Sequence, residues 1–123
     1  MFYHYWDERP DVGEGCFIAP GSIVIGKVKL GDHASLWFNT VVRGDVAPIE
    51  IGQNSNIQDL SVLHVAEDHP LKIGVNVSVG HRVVMHGCTV ENSCLIGMGS
   101  VIMDNVVVGE NSLVAAGSLL PPF

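Results

Sequence analysis

Three of the six histidines, His64, His81 and His86, are placed where metal chemistry is within reach. Imidazole nitrogens bind zinc at about 2.0–2.1 Å. Three of them with an open fourth position make the catalytic rather than the structural kind of site. Arg43, Asp45, Gln58 and Asp59 stand nearby in the chain. An arginine suits a carboxylate, which it can grip through two parallel hydrogen bonds. The Gln58 amide carbonyl can accept a hydrogen bond and so orient a water at a metal. None of this chemistry assembles unless the chain folds so that these distant positions meet.

The element that brings them together is a six-residue period. An apolar residue, often followed by glycine, recurs with a small residue four places later. Leu30-Gly31 with Ala34 and Ile96-Gly97 with Ser100 are examples. The apolar positions run from Val12, Ile18 and Val24 to Val108, Val114 and Leu120, eighteen hexads in six sets of three. Three steps depart from six: nine from Val42 to Ile51, ten from Leu63 to Ile73, and five from Met85 to Val90. A short strand and a tight corner make one flat face. Three faces close a triangular coil, and coils stack as parallel strands about 4.8 Å apart. No apolar series follows the helical period of 3.6. The expectation is an all-β parallel β-helix of about six triangular coils. It forms one domain over 1–123, with 1–11 as an N-terminal cap and 12–120 as coils. Tyr3, Tyr5 and Trp6 are expected to shield the open first coil.

Stacking turns spacing into columns. The residue after the apolar one on the third face reads Ile25, Arg43, His64, His86, Met103, Pro121. It points outward, because its predecessor points in. His64 and His86 are therefore outward neighbours on adjacent coils. His81 follows Val79 by two on the second face, around a corner from them, so one chain cannot close a three-histidine site. A threefold assembly can, by setting the second face of one subunit against the third face of the next. Asp59 lies one coil below His81, and Arg43 one coil below His64. Facing subunits should then pair Asp59 with Arg43, with Asp45 as a second partner. His4, His33 and His69 read as surface residues. Cys16 and Cys94 take small corner positions, and Cys88 reads as structural too.

Composition removes other classes. Val and Ile number 28 against 9 Leu, with 14 Gly, which favours strands and turns. Charged residues are 15% and hydrophobic residues 47%, which excludes disorder. The net charge of −7 argues against nucleic acid as a partner. No apolar run is long enough for a membrane span. The start, MFYHYWDERP, shows no basic segment leading into an apolar one, so no secretory signal is expected. Three cysteines, an odd number, fit a reduced cytoplasmic protein.

The segments Val42-Arg43-Gly44-Asp45, Asn56-Ile57-Gln58-Asp59, Leu63-His64, Gly80-His81 and Met85-His86-Gly87-Cys88 resemble the gamma-class carbonic anhydrase family. The resemblance implies a left-handed coil and a homotrimer with metal at each subunit interface. It implies His64, His81 and His86 as ligands of Zn2+, with Fe2+ or Co2+ in some members. It gives Arg43, Asp45 and Asp59 to interface ion pairs and Gln58 to positioning the nucleophile. The implied reaction is reversible hydration of carbon dioxide to bicarbonate, a lyase activity. Zinc makes water a nucleophile at neutral pH. Val46 stands where active members carry a glutamate. The loop after His64 is short and offers only Glu67 or His69 as proton shuttle. The chain ends at Pro121-Pro122-Phe123, short of the last coil and C-terminal helix that the resemblance implies. Two other readings remain open. One is a metal-binding scaffold trimer with little hydratase activity. The other is a coenzyme A-dependent acyltransferase or thioesterase.

Overall fold

A computed structural model describes residues 1–123. The chain forms seventeen strands and no helix, and every pair of strands is parallel. No helix is long and apolar enough to cross a membrane. The strands form one eleven-stranded and one six-stranded sheet. The larger sheet covers two faces of the prism, because Ile23–Leu30 and Val41–Ile51 run around a corner without a break. The six-stranded sheet is the second face.

The period of six works as the hexads require. Val24, Leu36, Val42, Ile57, Leu63, Met85, Ile96 and Ile102 are wholly buried along the axis, in a core of 25 residues. The end rungs have a neighbour on one side only, so Val12 is exposed and Ile18, Val114 and Leu120 are half-buried. Small residues fill the corners. Ser22, Ser55, Ser61 and Ser100 are fully buried, yet each hydroxyl donates to a carbonyl of the next coil, Ser55 Oγ to Gly74 O at 2.6 Å. No buried side-chain polar atom lacks a partner.

Two departures from the repeat shape the site. The three residues inserted between Val42 and Ile51 leave the ladder between Gly44 and Ile49, opposite Gly26 and Val28. A Cβ on Gly44 would lie 2.5 Å from Lys27 O, so only glycine lets the chain leave there. The four residues inserted after Leu63 make a tight turn, with Ala66 and His69 exchanging backbone hydrogen bonds.

The N-terminal segment covers the open first coil on the third face only, where Val24 is wholly buried. Phe2–Tyr3 pairs in parallel with Val24–Ile25 and adds a seventh rung to the third face. Trp6 is 86% exposed and covers nothing, because it sits at the tip of a turn closed by Tyr5 and Glu8.

The three faces differ outside as well. On the first, Lys29, Glu50 and Lys72 stack in register as an alternating charge ladder. The second exposes Trp37, Phe38, Leu95 and Leu113, and the third Ile23, Val62, Val84 and Leu119. One face suits water, and two carry apolar rows of the kind that mark contact surfaces.

Candidate metal centre

His64 ends the strand Val62–His64 and His86 ends Val84–His86, and the two are direct partners across the ladder. Leu63 and Met85 before them are wholly buried, so alternation turns both imidazoles outward. The rings lie 5.0 Å apart, with His64 Nδ1 3.2 Å from His86 Nε2.

The other nitrogen of each ring meets a carboxylate. His64 Nε2 donates to Asp45 Oδ1 at 2.9 Å, and His86 Nδ1 donates to Asp104 Oδ1. An ionised carboxylate only accepts, so these nitrogens hold the protons. In neutral rings the facing pair, His64 Nδ1 and His86 Nε2, is then two lone pairs pointed at one another. Two acceptors at 3.2 Å repel unless a proton or a cation lies between them. Two zinc–nitrogen bonds of about 2.05 Å meeting at about 100° span that separation. The residues therefore fit a metal, and the carboxylate behind each imidazole is the usual second support of a histidine ligand.

Asp45 is brought to His64 by the bulged insertion. Its carboxylate also accepts from the Val46 amide at 2.8 Å and from Arg43 Nη1 at 2.5 Å. Partial burial pushes the Asp45 carboxyl up. The Val46 amide, His64 and Arg43 outweigh it and hold the group below its ordinary value. Within the chain, Arg43 thus pairs with Asp45.

His81 lies around the corner, as its place in the repeat requires. Its Nδ1 is 3.0 Å from Asp59 Oδ2, one coil below, and its side chain is 52% exposed. Within one chain no group of three such side chains is arranged to hold a metal ion. Gln58 donates from Nε2 to Asn56 Oδ1 at 3.1 Å, which leaves its carbonyl oxygen free. Gln58 and His81 line one open groove of about 430 Å³ on the second face. Glu67 is exposed at the tip of the 66–69 turn and joins no hydrogen bond of the network. Cys88 is buried, and burial pushes its thiol up to about 12, which favours the neutral thiol.

Asp104, which the sequence reading passed over, joins this cluster through His86. It follows the inward Ile102 by two. That column otherwise reads Gly26, Gly44, Val65, Gly87 and Pro122. A lone carboxylate among glycines, one coil above a candidate ligand, was the available signal.

Residues 9–44 and 87–122 match the family described as bacterial transferase hexapeptide (six repeats). The unmatched stretch between them holds the insertions and all three candidate ligands. The chain is 46% identical over 121 residues to gamma carbonic anhydrase 1, mitochondrial, of Arabidopsis thaliana, covering 94% of this chain and 44% of that one. It is 47% identical over 110 residues to a carbonic anhydrase of Geobacillus kaustophilus, covering 89% and 60%. The chain belongs to the gamma carbonic anhydrase-like hexapeptide-repeat family. A solved hexapeptide transferase family protein from Anaplasma phagocytophilum superposes with a TM-score of 0.95 at 43% identity, over 99% of this chain and 72% of that one. The chain spans about half the length of the curated relatives it matches, 44% and 60% of these two. Family membership accounts for the regular coils.

Proposed function

We propose that this chain hydrates carbon dioxide reversibly to bicarbonate, as a homotrimer with zinc at each subunit interface. The observation that carries this reading is the approach of His64 Nδ1 to His86 Nε2 at 3.2 Å, with each imidazole backed by an aspartate. His64 and His86 of one subunit and His81 of the next would hold the metal, with Fe2+ or Co2+ as alternatives to Zn2+. The metal supplies a nucleophile at neutral pH by lowering the pKa of water. Asp59 orients His81 by accepting from Nδ1, which turns Nε2 toward the neighbour. Gln58 offers its free carbonyl oxygen to a water in the groove it shares with His81. Arg43 and Asp45 form a linked pair at the rim, and Arg43 remains open to Asp59 of an adjoining subunit. Glu67 passes protons to solvent. The two apolar faces support the trimer, since threefold packing would cover both and leave the charged first face in water. Three free thiols fit a reducing compartment such as the cytoplasm.

A stopped-flow hydration assay on zinc-loaded protein, repeated with Fe2+ or Co2+ under anaerobic conditions, tests the activity. Turnover should vanish with a chelator and rise with buffer concentration, since the shuttle is a single exposed glutamate. Metal-dependent binding without turnover would favour the scaffold reading instead. Val46 favours that reading, being an exposed apolar side chain beside Asp45 where a carboxylate would move protons. Activity on coenzyme A esters that survives chelation would favour the transferase reading.

A further inference from the structure

We propose that Asp104 is a positioning residue for His86. Its carboxylate accepts a hydrogen bond from Nδ1–H and so fixes the tautomer that presents the Nε2 lone pair to His64 Nδ1. The inference rests on the metal-centre reading and deepens it.

The geometry is built for this contact. Asp104 Oδ1 accepts from His86 Nδ1, while His86 Nε2 stands 3.2 Å from His64 Nδ1. The backbone on either side of Asp104 is tied down. Asn105 N donates to Gly87 O at 2.9 Å, and Val106 N donates to Met103 O at 3.3 Å. Gly87 makes the approach possible. A Cβ there would lie 2.9 Å from Asp104 Oδ1 and 2.7 Å from the His69 Cβ. Each imidazole of the set thereby has its own carboxylate from another coil: Asp45 for His64, Asp59 for His81, Asp104 for His86. An imidazole without such a partner divides its proton between its two nitrogens. Any fraction protonated at Nε2 is lost to binding.

Two readouts on the full chain test this, one of them without metal. The first is the His86 tautomer of the metal-free protein, read from its ring 15N shifts. The second is zinc affinity, by competition with a chromophoric chelator. Wild type should show Nδ1–H at His86. Asp104→Ala should shift the ring toward Nε2–H and weaken zinc binding about 10- to 100-fold. Asp104→Asn keeps an acceptor oxygen without the charge, so it should retain the tautomer and fall between the two in affinity. An Asp104→Ala protein with an unchanged tautomer, or with wild-type zinc affinity, overturns the proposal. Wild type failing to take up zinc counts against the metal-centre reading instead, and the tautomer still decides the role of Asp104.

Discussion

Mixing two variants that each lack metal should rebuild the centre in about a quarter of the interfaces. His64 and His86 are ladder partners within one chain, 3.2 Å apart at the facing nitrogens, so an intact pair must come from a single chain. His81 lies around a corner, bound to Asp59, and in the proposed trimer comes from another chain. His81→Ala and His86→Ala homotrimers should each have no complete site. Refolded together at equal amounts, a site is whole only where a His81→Ala chain supplies the pair and a His86→Ala chain supplies His81. Random assembly gives a probability of one half for each, hence about 0.25 zinc per chain. The control is sharper still. His64→Ala mixed with His86→Ala should rebuild nothing, because no chain in that mixture carries both partners. Elemental analysis after gel filtration reads the zinc and the subunit count together. A first mixture that stays empty, or a control mixture that recovers as much zinc as the first, refutes the intersubunit site.

Gly87→Ala should destabilise the chain by about 2–4 kcal/mol, through a left-handed backbone that alanine resists and a Cβ pressed on His69. It should also weaken zinc binding by displacing Asp104; urea unfolding of the metal-free protein and chelator competition measure the two. Leu63→Ala, at a wholly buried axial position, should cost about 3 kcal/mol by urea unfolding, through the cavity it leaves. The Cys88 thiol, raised by burial to about 12, is neutral at pH 8 and should resist iodoacetamide until the pH approaches that value. The urea-unfolded thiol, with an ordinary pKa of about 8.5, should react at pH 8 within the same assay.

Much of this protein was legible without coordinates because its fold is a translation. Each coil repeats the last, so a constant step of six residues becomes a constant step in space. The register of His86 on His64, the placing of Asp59 beneath His81 and the separation of His81 by a corner all follow from counting. The same counting fails wherever the step changes. Asp45 reaches His64 only because three inserted residues leave the ladder, and a bulge has no column to read. Asp104 was hidden for a related reason. A column shows which residues are neighbours, but not which rotamer spans the gap or which nitrogen keeps its proton. The cap at Trp6 failed because a tail outside the repeat has no period, so Phe2–Tyr3 joined the ladder while the indole stayed in water. Sequence alone determined the coil and the row of imidazoles, since backbone stacking depends only on regular spacing. The tertiary structure alone decided the carboxylates behind His64 and His86, since short-range hydrogen bonds depend on side-chain directions that spacing does not carry.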